Sequence, residues 1–155
     1  DEQELLSDIA LDYRVKSLDS ILLKYERYYP DHQVRKVFND ILGFRAFCDS
    51  YDQLLEEESS QFRIADMTQG KAMDDGYRGV HVYYQRSGRR YPIEIQFNTL
   101  FDRQLNNWLH DYLYKKNYPI ETGRILREKY EIGVIRNEYD FKEVLSNVLS
   151  GGERS

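Results

Sequence analysis

Two periodicities of apolar positions alternate along the chain, and the switches between them outline its elements. From Leu11 to Ser17 polar and apolar residues alternate, the period-two pattern of a half-buried strand. Beyond it Ile21, Leu22, Tyr25 and Tyr28 recur at helical spacing until Pro30, and Ser17 is placed to cap that helix. Residues 34–41 predict a short helix leading into a strand at LGFRAFC (42–48). YDQLLEEE (51–58) predicts a helix and FRIADM (62–67) a strand. RGVHVYYQ (78–85) and YPIEIQF (91–97) alternate strictly and flank RSGRR, so they read as a hairpin with Gly88 in its turn. Helical spacing returns at 99–116, 119–131 and 138–149, and residues 1–10 read as a further short helix. Interleaved strands and helices around an antiparallel hairpin predict an α+β fold: a mixed β-sheet flanked by helices. It is read as one domain over 1–150, with 151–155 as a disordered tail.

Composition narrows this picture. With 155 residues the chain can bury one core but not comfortably two. Its net charge of −5 argues against sequence-blind nucleic-acid binding, which requires a strong positive balance. The charges are uneven, however. Cations crowd the first third (Arg14, Lys16, Lys24, Arg27, Arg35, Lys36, Arg45) and the middle (Arg78, Arg86, Arg89, Arg90, Arg103), which suits a small polyanion. Tyrosine, at 14 residues, offers flat half-polar surfaces as well as core. Cys48 is the only cysteine, so no internal disulfide forms; it reads as a small core residue, and a reducing cytoplasm is expected. No apolar run approaches the ~20 residues of a membrane span.

Two constellations carry chemistry. Arg14 and Lys16, two apart on a predicted strand, leave from one face, and Ser20 and Lys24 follow on the first turns of the next helix. Cations converging on a helix N-terminus make a credible polyphosphate site; a solvated basic edge is the alternative. In the second, Asp40 precedes a strand, with Arg45 a turn of loop beyond it. Glu94 sits mid-strand between Ile93 and Ile95, which point the other way. A carboxylate at a strand centre is paired, metal-bound or catalytic when its face is covered, and Asp40 with Glu94 could share one Mg²⁺. Folding the hairpin at Gly88 sets His81 opposite Glu94 to Gln96, and Tyr77 shares its parity with His81. The alternative here is the solvent-facing polar side of an antiparallel pair.

In order along the chain stand R-x-K-x-x-x-S-x-x-x-K (Arg14, Lys16, Ser20, Lys24), D-I-x-G-x-R (Asp40 to Arg45) and K-x-x-x-x-G-Y-R-x-x-H (Lys71 to His81). E-I-Q-x-x-T (Glu94 to Thr99) and H-D-x-x-Y-K (His110 to Lys115) follow. This succession over residues 14–115 resembles the synthetase domain of the RelA/SpoT family, the (p)ppGpp-making enzymes that include the small alarmone synthetases. The resemblance implies a nucleotidyltransferase-like synthetase fold and a 3′-pyrophosphokinase that moves the β,γ-pyrophosphate of ATP to the ribose 3′-hydroxyl of GDP or GTP. By the same resemblance Arg14 and Arg45 would sandwich the adenine, and Lys16, Ser20 and Lys24 would hold the ATP phosphates. Asp40 and Glu94 would position Mg²⁺, with Glu94 also the base for the 3′-hydroxyl. Tyr77 would stack on the acceptor base, and His81, Gln96, Lys71 and Arg78 would serve the acceptor.

Departures from the pattern bear on the acceptor. Asp75 stands where Asn is usual, Gly79 for Ser, Met73 for a second Lys, Asn98 for Arg and Leu109 for Glu. Several lower the positive charge expected near the acceptor's 5′ phosphates, so an acceptor without a free 5′ polyphosphate is a second expectation. The toxic branch of small synthetases, which caps the 3′-CCA end of tRNA and is paired with an antitoxin, fits that description. Tyr83 and Tyr84 with the arginines of the hairpin tip could stack on and grip an RNA end. A catalytically silent nucleotide-binding module is a third reading; it predicts loss of the clamp or carboxylates, and all are present. With three histidines in the chain the family's hydrolase domain is not expected. His110 and Lys115 are expected to pack behind the site, and the last helices to serve oligomer or antitoxin contacts.

Overall fold

The computed structural model describes residues 12–32, 34, 38, 40–56, 61–116 and 118–152, apart from the side chain of Arg14. The helix expected at 1–10, most of the one expected at 34–41 and the end of the tail lie outside the described residues. The elements run β1 (Asp12–Val15), α1 (Leu18–Tyr28), β2 (Leu42–Phe47), α2 (Asp52–Leu55), β3 (Phe62–Asp66), β4 (Val80–Tyr84), β5 (Ile93–Asn98), α3 (Leu100–Leu109), α4 (Ile120–Glu131) and α5 (Glu138–Gly152). Within the length read as one domain the chain forms two compact units. One comprises residues up to 66 together with 79–99, the other 67–78 together with 100 onward.

The first unit is a five-stranded sheet in the order β1-β2-β5-β4-β3. Only β2 and β5 run parallel; the other neighbours are antiparallel, so the sheet is mixed as the pattern predicts. The register sorts the side chains. Arg45 pairs with Gln96, His81 with Gln96, Tyr83 with Glu94, Arg63 with Tyr83, and Asp12 with Arg45. Residues paired directly across strands share a face, so one face carries Arg45, Glu94, Gln96, His81, Tyr83 and Arg63. The opposite face carries Ala46, Val80 and Val82, which are buried, and partly buried Phe44, Ile95 and Phe97. Ser17 caps α1 by accepting the N–H of Ser20. The helix expected over 51–58 is a single turn.

The second unit is helical. Leu105, Leu109 and Leu113 on one stripe meet Leu126, Tyr130, Ile135, Phe141 and Leu145, with Trp108 against Tyr130 and Phe141. Each fully buried side chain of this size contributes roughly 1.5–3 kcal/mol. The helix expected over 99–116 is regular only to Leu109; His110–Tyr114 forms a π-helical turn. His110 is half exposed and hydrogen-bonds its neighbour Asp111 at 3.1 Å, and Lys115 is exposed, so neither packs inward as expected. Helix α5 runs on through Gly152, two residues into the segment expected as tail. Among the described residues no helix is long and apolar enough to cross a membrane.

Candidate active site

At the β1–α1 junction, Lys16 lies one residue past the strand end, not on the strand as its spacing suggested, and its N–H still bonds the carbonyl of Ile41 (2.9 Å). That bond brings Asp40 beside α1, where its carboxylate receives Lys16 Nζ at 2.5 Å and Lys24 Nζ at 2.9 Å. The two expected phosphate-binding lysines, one just before α1 and one on it, are therefore already gathered by a carboxylate. An open cleft of 560 Å³ is lined by Lys16, Ser20, Leu23, Lys24, Arg27 and Tyr28. Arg27, noted in the sequence only among the cations of the first third, stands one turn beyond Lys24, a spacing that the helical pattern alone could have supplied. Arg14 occupies the position on β1 in register with Gly43, but its side chain lies outside the described residues. Arg45 belongs to β2 rather than to a loop, and lies 4.0 Å from Asp12.

Glu94 is 5% exposed at the centre of the sheet. Gln96 Nε2 donates to its Oε1 at 2.5 Å, and His81 Nδ1 lies 3.6 Å from its Oε2. The Tyr83 hydroxyl completes the shell and lies 3.4 Å from His81 Nδ1. Burial pushes the Glu94 pKa up, but hydrogen bonding and charge from His81, then the bonds from Gln96 and Tyr83, outweigh it and hold the pKa at about 2. Tyr83 is raised far above its usual range, by burial first and then by the charges of Glu94 and, more weakly, Asp40. Arg63 lies over its ring, 4.0 Å from the centroid. Tyr83 thus faces the carboxylate shell, and Tyr84 packs against Phe62 at 5.5 Å. Sequence reasoning missed Tyr83 as a partner of Glu94, although its parity with His81 pointed there. Arg63 carried no signal, because only the sheet order brings β3 beside β4.

Asp40 and Glu94 both offer carboxylate oxygens as metal ligands. A pair of carboxylates with phosphate oxygens fits Mg²⁺, which keeps several non-protein ligands. Among the described residues no group of three or more His, Cys, Asp or Glu could form a complete protein cage for a metal.

The segment from Lys71 to Arg78 belongs to the second unit and precedes β4. Tyr77 is therefore not on the hairpin strand, and its shared parity with His81 has no meaning in the structure. Asp75 shapes the loop: its Oδ1 accepts the N–H of Tyr77 (3.1 Å) and its Oδ2 takes Lys71 Nζ (2.6 Å). That ammonium also lies 4.9 Å from the centre of the Tyr77 ring. Arg78, expected to serve the acceptor, grips Asp74 through two bonds of 2.8 and 3.0 Å and donates to the carbonyl of Tyr77 at 2.9 Å. Its bond and charge lower the Asp74 pKa against burial, so this pair is a structural tie.

A family model described as "Region found in RelA / SpoT proteins" matches residues 13–118. Comparison with curated proteins finds none that match. Among solved structures, the chain is similar to small alarmone synthetase 1 from Bacillus subtilis bound to its product pppGpp. That match has 25% identity and a TM-score of 0.56, covering 90% of this chain and 78% of the other. A GTP pyrophosphokinase family protein from Streptococcus pneumoniae matches at 25% identity and a TM-score of 0.51, covering 91% and 77%. The mixed five-stranded sheet with its helices is the fold of these synthetases.

Proposed function

The chain belongs to the RelA/SpoT family, and from that premise we propose that it is an ATP-dependent 3′-pyrophosphokinase whose acceptor is GDP or GTP. The observation that carries this reading is the polar sheet face, where Glu94, Gln96, His81 and Arg45 come into register beside the lysine-lined cleft at Asp40. Likeness to a synthetase solved with pppGpp supports the acceptor.

In the proposed reaction the acceptor's 3′-oxygen attacks the β-phosphorus of ATP. The bond between that phosphorus and the oxygen bridging to the α-phosphate breaks, and AMP leaves. Lys16 and Lys24 exchange Asp40 for the phosphate oxygens, and Arg27 extends the same cationic row. Ser20 offers a hydroxyl beside the helix N-terminus. Arg14 and Arg45 are assigned to the adenine, where guanidinium planes stack well. Mg²⁺ held by Asp40 and Glu94 would neutralise charge on the transferred group. Glu94, ionised throughout the neutral range, accepts the hydrogen bond of the 3′-hydroxyl and orients it. With a pKa of about 2 it is a weak base, and it receives the proton only late, as a loose phosphoryl-type transfer permits. His81 and Gln96 hold the carboxylate in place, and Tyr77 stacks on the acceptor base with Lys71 above it.

One observation favours a second acceptor, the 3′-CCA end of tRNA. The charge of Lys71 is matched by Asp75, the residue that replaces the family's usual Asn, which leaves less cation for a free 5′ polyphosphate. An antitoxin partner would accompany that reading. Incubation with γ-labelled ATP and Mg²⁺, with GDP, GTP or deacylated tRNA in separate reactions, decides between them. Label in ppGpp or pppGpp supports the first reading. Label on tRNA that is lost on removing the terminal adenosine supports the second. No label in any tube would overturn both.

A further inference from the structure

The loop Asp74–Arg78 carries Tyr77, and side chains of its own unit grip its backbone. Arg127 on α4 is fully buried. Its Nε donates to the carbonyl of Gly76 at 2.8 Å, Nη1 to Asp102 Oδ1 at 2.7 Å and Nη2 to Asn106 Oδ1 at 3.2 Å. Asn106, also buried, clasps the neighbouring peptide: its Oδ1 accepts the N–H of Arg78 (3.2 Å) and its Nδ2 donates to the carbonyl of Arg78 (2.7 Å). The Tyr114 hydroxyl reaches the carbonyl of Asp75 at 3.3 Å. Loop and helix approach so closely that a Cβ on Gly123 would lie 1.9 Å from that carbonyl.

A buried guanidinium is a costly way to fill space. Burial lowers the Arg127 pKa, against the opposing charge of Asp102, and an apolar residue of similar volume would pack without that desolvation. What the guanidinium adds is a rigid fork of donors with fixed directions, one of them aimed at a loop carbonyl. We infer that Arg127, with Asn106, is a positioning residue that fixes the backbone of the Tyr77 loop and thereby the acceptor, without touching either substrate. The inference rests on the reading above in which Tyr77 stacks on the acceptor.

The test compares Arg127→Met, Tyr114→Phe and Tyr77→Ala with the unaltered protein. It measures KM for ATP and for whichever acceptor takes label, kcat, and amide hydrogen exchange of the 74–80 segment. Arg127→Met should raise the acceptor KM on the order of tenfold, since small misplacements of a binding group are costly, and leave the ATP KM unaltered. Exchange at 74–80 should quicken while α5 stays protected. Tyr114→Phe removes a single hydroxyl at the loop rim, folds normally, and should move the same quantities a few-fold in the same direction. A purely structural Arg127 would lower apparent kcat with the folded fraction and leave both KM values and the exchange of folded protein unchanged, which overturns the inference. If Arg127→Met fails to fold, Tyr114→Phe alone decides, and unaltered acceptor KM and exchange in it count against the inference. If Tyr77→Ala leaves the acceptor KM unchanged, the stacking assignment falls instead, and exchange at 74–80 then decides whether Arg127 holds the loop.

Discussion

Replacing Glu94 by Gln separates the two jobs its environment imposes. The carboxylate is buried, yet His81, Gln96 and Tyr83 hold its pKa at about 2, against a reference value of 4.5. Lowering of a folded-state pKa below its unfolded value contributes stability above the unfolded pKa that is lost as pH falls through the folded one. The gap corresponds to about 3 kcal/mol in full, and half of it is lost by roughly pH 3. Glu94→Gln keeps the shape and removes the charge, so it should be less stable than the parent by up to about 3 kcal/mol at neutral pH. The difference should shrink below about pH 4.5, where the unfolded parent's carboxyl takes up its proton while the folded one stays ionised. Urea unfolding of both proteins at a series of pH values from 7 to 3 measures this directly, and all other acidic groups cancel in the difference. Transfer of pyrophosphate should fall by at least about a hundredfold, while ATP still binds. A stability difference that stays constant with pH would refute the account of the shifted carboxyl. Substantial residual transfer would refute its part in the reaction.

The cleft, the loop and the metal give three further expectations. Lys24→Met should raise the KM for ATP on the order of tenfold or more, with the acceptor KM unaltered; an unchanged ATP KM would place the phosphates elsewhere. Gly76→Ala should cost at least about 2 kcal/mol, because Gly76 has φ +87° and a Cβ there would lie 2.3 Å from the carbonyl of Gly123. Thermal or urea unfolding indistinguishable from the parent would contradict the close approach. Chelation with EDTA should abolish transfer, and added Mg²⁺ should restore it; activity that survives chelation would remove Asp40 and Glu94 from metal binding.

The alternation of VHVYY and IEIQF and the five ordered motifs determined the family, the central hairpin, and most of the residues to examine. A period of two states which side chains share a strand face, and the glycine turn states which residues oppose one another, so His81 opposite the stretch Glu94 to Gln96 was legible in the sequence, and the strand register then pairs it with Gln96. The same arithmetic misled at Tyr77, because parity carries meaning only inside a strand and β4 begins at Val80. Whatever depends on non-adjacent elements was decided by tertiary structure alone. The parallel pairing of β2 with β5 puts Arg45 in register with Gln96, and β3 at the sheet edge lays Arg63 over Tyr83. Asp40 emerges as the partner of both Lys16 and Lys24 only when the chain returns from α1. Arg127 is the extreme case. No local pattern singles it out, and only packing against the Gly76 loop, at a separation of 51 residues, makes it a buried fork of donors. Local patterns fix what one strand or helix presents, but a side chain's partners follow from long-range closure of the chain.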